Sequence, residues 1–187
     1  ASAELYVVID LPKKSTNTSA NVPMRGVDRV AQQVRSEATI VEGRMFEFGT
    51  NEIIVGRGAS AQFAGLTVGN ELRSGQNSWK VVGIFEADGG VAETELWCDV
   101  RVLQGAYRRG NTYQTVLVRL DSSDSFNTFR DALTSNPQVN VQVRRETEYY
   151  AQQSRTLSSL IQGVGFGIAA LMGVGGVVGA IRARYTS

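Results

Sequence analysis

Apolar residues recur with a period of two at the start of the chain. Leu5, Val7 and Ile9 fall on one parity, Tyr6 and Val8 lie between them, and this apolar richness predicts an interior strand over residues 4–10. Residues 13–21, in which Ser, Thr and Asn dominate, predict a polar loop. Val22-Pro23-Met24-Arg25-Gly26 resumes as a short extended piece, and Val27, Val30, Ala31 and Val34 follow at helical spacing, predicting one helix over residues 27–36. Short strands are then expected over residues 39–41, 51–55, 71–73, 79–85 and 93–98, separated by Gly-containing turns. That middle reads as a small β-rich subdomain.

The last third changes pattern. Residues 100–109 read as helical, and residues 113–120 alternate Tyr113, Thr115, Leu117 and Arg119 against Gln114, Val116, Val118 and Leu120, which predicts a strand. Asp121-Ser122-Ser123-Asp124 offers N-caps for a helix over residues 125–133, with Phe126, Phe129, Ala132 and Leu133 on one face. Asn136-Pro137 ends that helix, and Val139, Val141 and Val143 alternate in a further strand. A helix is expected from Glu146 onward, since no Pro or Gly occurs before Gly163. If it continues to Ile181 it extends about 54 Å at 1.5 Å per residue.

From Leu160 to Ile181 there is no charged residue, and only Gln162 interrupts an apolar or small-residue run. A helix of about 20 such residues crosses a bilayer core. Seven glycines in the run would weaken a water-exposed helix by up to about 1 kcal/mol each. In a membrane the same glycines give two close-approach spacings, Gly163/Gly167 and Gly175/Gly179. The alternative is a buried core helix. Arg182 and Arg184 follow the run, and no acid occurs after Glu148, so the positive-inside rule places residues 182–187 in the cytoplasm and the domain before residue 160 outside it. The chain starts directly in a strand, with no basic segment and apolar run in front, and is expected to be a fragment of a longer protein.

Composition narrows the chemistry. Nineteen basic residues stand against eighteen acidic ones, which gives no excess positive charge to argue for nucleic acid. The absence of histidine removes Ser-His and Cys-His pairs and most catalytic zinc sites. Cys98, the lone cysteine, cannot form an internal disulfide and is expected in the core.

Three motifs carry possible chemistry, each against a plainer reading. The Gly-rich turn over residues 56–63 could open a helix onto an anion, but it lacks the Lys-Ser/Thr pair of a phosphate loop and is expected to be a connection. Glu86, Asp88, Glu93 and Glu95 flank Gly89-Gly90 and could gather a hard cation, but their spacing fits no known loop and a solvated hairpin tip is expected. Gly165-Phe166-Gly167-Ile168-Ala169-Ala170 fits a loose dinucleotide fingerprint without the preceding strand, tight turn or later acid. No catalytic, cofactor-binding or metal-binding residue is therefore expected, and the chain is expected not to be an enzyme.

Four runs occur in order along the chain: Val41-Glu42-Gly43-Arg44 with Phe46; Asn51-Glu52-Ile53-Ile54-Val55-Gly56 with Ala61 and Gly69; Trp79-Lys80-Val81-Val82-Gly83-Ile84; and the Arg130 helix leading through Tyr149-Tyr150 to the apolar run. Together they resemble the MacB/FtsX-type ABC-transporter permeases, in particular their periplasmic core domain, over nearly the whole chain. The resemblance implies an α+β fold in which a porter-like α/β part, residues 1–38 and 110–159, receives an inserted sabre-like β-rich part, residues 39–109. Residues 160–181 would be the transmembrane helix. It also implies residence in the bacterial inner membrane, a cytoplasmic ATP-binding-cassette subunit, a second permease copy or paralogue, a periplasmic adaptor protein, and contact with lipid. The expected function is transmission of ATP-driven conformational change to periplasmic partners or cargo. The competing expectation is a membrane-tethered envelope module for binding or assembly, with no ATPase partner.

Overall fold

The computed structural model describes residues 1–138, 140–146 and 148. The chain divides into two compact units, Ala1–Arg119 and Leu120–Ser187. The fold is α+β. The first unit is built on a sheet of eight strands: β1 (Ser2–Pro12), β2 (Ser19–Val27), β3 (Thr39–Gly43), β4 (Glu52–Gly56), β5 (Glu71–Ser74), β6 (Asn77–Glu86), β7 (Leu96–Asp99) and β8 (Thr115–Leu117). Their order is β3-β6-β4-β7-β2-β1-β8, with β5 on β6 beside that path. Three short helices belong to this unit, α1 (Ala31–Val34), α2 (Arg57–Gln62) and α3 (Val100–Ala106). A 3-10 turn covers Val91–Thr94.

The strand period settles which face each residue serves. Leu5, Val7, Ile9 and Leu11 of β1 lie on one face with Val22 and Met24 of β2, Ile53 and Val55 of β4, and Leu96 and Cys98 of β7. Val100 and Leu103 of α3 and Ala59 of α2 close that core. The opposite face holds a second cluster in which Ile54, Val82, Phe85 and Trp97 pack with Phe46 and Ala31. Strand β4 is thus buried on both sides, which is why Ile53-Ile54-Val55 reads as a continuous apolar run without alternation. Cys98 is fully buried, and burial followed by the charge of Asp99 pushes its thiol well above the ordinary value.

Several elements differ from the sequence expectation for local reasons. The polar loop shrinks to residues 13–18, because Ser19, Ala20 and Asn21 pair with Pro12, Leu11 and Asp10 and extend the hairpin. Asn17 turns the chain at φ 55°, a left-handed conformation that asparagine tolerates. The helix expected over residues 27–36 is confined to Ala31–Val34, since Val27 completes the parallel pairing of β2 with β7. Asp28 then stops the strand by accepting the backbone N–H groups of Ala3 and Val30. The strand expected over residues 93–98 begins only at Leu96, because Glu93 and Thr94 belong to the 3-10 turn and Glu95 caps it. Strand β8 is three residues long: β1 offers it Ser2, Ala3 and Glu4, and the next outward amide, that of Tyr6, donates to the Gln114 side chain instead.

The expected boundaries at residues 38/39 and 109/110 both fall within the first unit, and β2 pairs with β7 across the first of them. In the second unit, α4 (Ser125–Thr134) matches the amphipathic helix expected there, and Phe126 lies under the guanidinium groups of Arg130 and Arg145. Asp124 stands at its N-cap, but its side chain accepts no capping bond. Residues 140–143 form no strand, and Val139 lies outside the described residues. So do the apolar run 160–181, residues 182–187, the Gly165 to Ala170 fingerprint and most of the helix expected from Glu146. No helix among the described residues is long and apolar enough to cross a membrane.

Gly83 marks a close crossing beside the second core. A Cβ there would stand 2.3 Å from the Arg44 carbonyl oxygen, a backbone atom that cannot turn aside. Gly83→Ala should lower stability by about 1–3 kcal/mol in urea unfolding, the usual cost of overpacking. Gly105, in α3 with nothing within 4 Å of its added Cβ, is the control. Gly105→Ala should raise stability by up to about 1 kcal/mol.

Candidate functional site

The register places three charged side chains on one face of neighbouring strands, and a fourth joins them from a helix. Tyr6 of β1 pairs with Arg25 of β2, and Arg25 pairs with Trp97 of β7. Glu4 and Glu95 stand two residues before Tyr6 and Trp97, so the strand period puts both on the face of Arg25. Arg35, which caps the C-terminal end of α1, enters from above with only 4% of its surface exposed.

The bonds interlock. Arg25 donates through Nε to Glu95 Oε2 at 2.6 Å and through Nη2 to Glu95 Oε1 at 2.5 Å, while its Nη1 donates to Glu4 Oε2 at 2.8 Å. Arg35 forks onto the other side of Glu4, from Nε to Oε1 at 3.1 Å and from Nη2 to Oε2 at 2.9 Å. The indole Nε1 of Trp97 donates to Glu95 Oε2 at 2.9 Å, and the Arg35 guanidinium lies 5.3 Å from the centre of the Trp97 ring. Burial works against the Arg25 cation. The bonds and charges of Glu95 and Glu4 outweigh it and hold the guanidinium above its ordinary value. Two arginines and two glutamates neutralise one another, so the cluster offers neither a free base nor a free acid for proton transfer. Its chemistry is structural.

The acids singled out in the sequence are dispersed among separate tasks. Glu95 belongs to the buried cluster, Glu86 pairs with Arg57, and Glu93 accepts the amides of Ala87 and Gly89 at 2.8 Å each. Those two backbone bonds, Ala87 first, hold the Glu93 carboxyl below its ordinary value. Among the described residues no three metal-ligating side chains converge. The Gly56 turn is a packing device. Its glycine amide donates to the Glu95 carbonyl at 2.9 Å, and a Cβ on Gly56 would meet the Glu93 backbone at 2.2 Å.

The runs that carried the family resemblance meet in space. Arg44 forks onto Glu52 with bonds of 2.7 and 2.5 Å, and its own amide donates to the Val82 carbonyl at 2.9 Å. Three separate runs therefore lock together at the end of β3, and Phe46 and Trp79 are buried beside them. Sequence reading missed the four-charge cluster. The available signal was that Glu4 and Arg25 each interrupt an otherwise apolar strand.

Glu95→Gln keeps the shape of the buried cluster but removes one of its two negative charges. It should cost about 3–5 kcal/mol in unfolding free energy, as the breaking of a buried pair does. Glu52→Gln, at a pair where Arg44 is 49% exposed, should cost far less at neutral pH. Its effect should also depend on pH. The bond from Arg44 lowers the folded-state value of Glu52 below 4.5, so its contribution is present above that value and disappears as pH falls through the folded one. Urea unfolding at pH 6 and pH 3 measures both, and the gap between wild type and Glu52→Gln should close at the lower pH.

A family model of the MacB-like periplasmic core domain matches residues 2–136. Among solved structures, the extracellular domain of the noncanonic ABC-type transporter YknZ from Gram-positive bacteria superposes with a TM-score of 0.54 at 17% identity, covering 69% of this chain and 68% of that one. The periplasmic region of MacB from Actinobacillus actinomycetemcomitans gives 0.49 at 11% identity, covering 72% of this chain and 65% of that one. At these identities the likeness to YknZ speaks for the fold alone, and the lower score for MacB adds nothing to it. Among curated proteins none matches the sequence. The family model spans well over half of the sequence, and the chain belongs to the MacB-like periplasmic core domains, the kind carried by MacB/YknZ-type ABC-transporter permeases.

Proposed function

We propose that this domain is the extracytoplasmic part of an ABC-transporter permease in the bacterial cell membrane, and that it transmits ATP-driven conformational change to envelope partners or cargo. The observation that carries the reading is the family match over residues 2–136. A continuous sheet supports it: β2 and β7 join the N-terminal hairpin to the middle strands, so a displacement applied at one end of the sheet reaches the other without crossing a flexible linker. The domain works without catalysis of its own. That part of the proposal rests on the lack of any histidine and on the engagement of Glu4, Glu52, Glu93 and Glu95 in structural bonds. The partners are a cytoplasmic ATP-binding-cassette subunit, a second permease copy or paralogue, and a periplasmic adaptor protein.

The test uses the full-length permease with its ATPase in lipid nanodiscs. A spin label is placed on Gln76→Cys, at the exposed β5–β6 turn, in a Cys98→Ala background. The distance between labels in the two extracytoplasmic domains should differ between the nucleotide-free and vanadate-trapped states. An unchanged distance during active hydrolysis would overturn transmission and favour the passive envelope tether.

A further inference from the structure

Four guanidinium groups of the first unit, those of Arg25, Arg35, Arg44 and Arg57, are matched by carboxylates. Arg101, Arg108 and Arg109 are not. All three are exposed, and none has an ion pair or a side-chain hydrogen bond among the described residues. Arg101 lies in the first turn of α3, Arg108 follows the cap of the same helix, and both line an open groove of about 730 Å³ floored by Gln104 and walled by Asn111 and Tyr113. No acid lines this groove.

The groove is held in shape from within. Gln104, 5% exposed, accepts the Arg109 amide at 2.9 Å through its backbone carbonyl and donates through Nε2 to the Thr112 carbonyl at 2.9 Å. The Thr112 hydroxyl donates to the Arg109 carbonyl at 2.7 Å. The loop after α3 is thereby tied to the helix, and the charged ends of its arginines are left for something outside.

We propose that this groove docks an acidic segment of a partner protein, with Arg101 and Arg108 forking onto its carboxylates and Tyr113 covering the chain between them. Charge complementarity commits the occupant to carboxylates, since two unpaired guanidinium groups in a groove whose lining holds no acid match their planar, bidentate geometry. Concavity selects a protein segment, which can lie along a groove, over a bilayer surface, which meets convex basic projections. The proposal goes beyond the transmission reading, because it concerns binding at rest and needs no nucleotide.

The full chain is titrated by fluorescence anisotropy against a short fluorescein-labelled peptide of alternating Glu and Ala, and against the same peptide with Gln in place of Glu. The Glu peptide should bind and the Gln peptide should not. Arg101→Glu/Arg108→Glu should weaken binding at least about tenfold, and Arg101→Gln/Arg108→Gln should weaken it in the same direction by less. Both variants should melt like the wild type. Lys13→Glu/Lys80→Glu, an equal change in charge at exposed positions outside the groove lining, should bind like the wild type. Equal binding of the Gln peptide, or an equal loss in the Lys13/Lys80 variant, would overturn the proposal. So would groove-dependent binding of dioctanoyl phosphatidylglycerol at concentrations where the Glu peptide does not bind, which would assign the groove to lipid headgroups.

Discussion

A guanidinium withdrawn from water between neighbouring strands needs a carboxylate at every face it presents, and this requirement ties the first unit together. Arg25 lies on β2, where the N-terminal hairpin meets the middle of the sheet. Its carboxylate partners come from either side, Glu4 from β1 and Glu95 from the residue before β7, and Arg35 secures Glu4 from α1. A slip of one residue in either pairing would turn one of these charges to the opposite, apolar face of the sheet. The cluster therefore specifies register where β2 and β7 run parallel over only four paired positions. Hydrophobic contact alone gives weaker discrimination, because apolar side chains of similar volume substitute for one another with little cost.

The same arrangement explains how the sheet covers two cores. On one face α2 and α3 close over the long apolar parity of β1, β2, β4 and β7. On the other the covering is thinner, made by α1, Phe46 and the turns around Ala87 and Ala92. The charge cluster stands on this second face, next to Trp97, which serves the core with its ring and the cluster with its Nε1. Glycine is required where the covering segments press closest. Gly83 admits the Arg44 backbone, and Gly56 admits that of Glu93.

Strand existence was legible in the sequence wherever pattern and pairing agreed. Residues 51–55 and 79–85 were expected as strands and are found as Glu52–Gly56 and Asn77–Glu86, and the helix expected over residues 125–133 is Ser125–Thr134. Errors arose where a tertiary contact overruled local composition. Ser19 to Asn21 look like loop but extend a hairpin, and Val27 to Val30 have helical spacing but are claimed by β7 and by the Asp28 carboxylate. Glu95 shows the limit most clearly. Beside Glu86, Asp88 and Glu93 it reads as one of several solvated acids, and only the long-range pairing of β2 with β7 reveals that it is buried against Arg25. The family resemblance succeeded for a related reason: its runs contain the residues that lock β3, β4 and β6 together, and such locks leave a local trace in sequence.

Charge is nearly balanced over the chain, at nineteen basic and eighteen acidic residues, yet it is not used evenly. Inside the sheet it is spent in matched sets: Glu4 and Glu95 with Arg25 and Arg35, Glu52 with Arg44, Asp99 with the amides of Gly49 and Arg101. These groups set register and cap elements. What a domain of this kind can offer a partner is the charge its own fold leaves unmatched. At α3 and the loop that follows it, Arg101, Arg108 and Arg109 are part of that unmatched charge, and there Gln104 and Thr112 fix the backbone. A fixed frame carrying free charge recognises a partner at lower ordering cost than a mobile loop does, because only the side chains have to be immobilised on contact. Structural and recognition charge are thus separated within one unit, which lets either change without loosening the other.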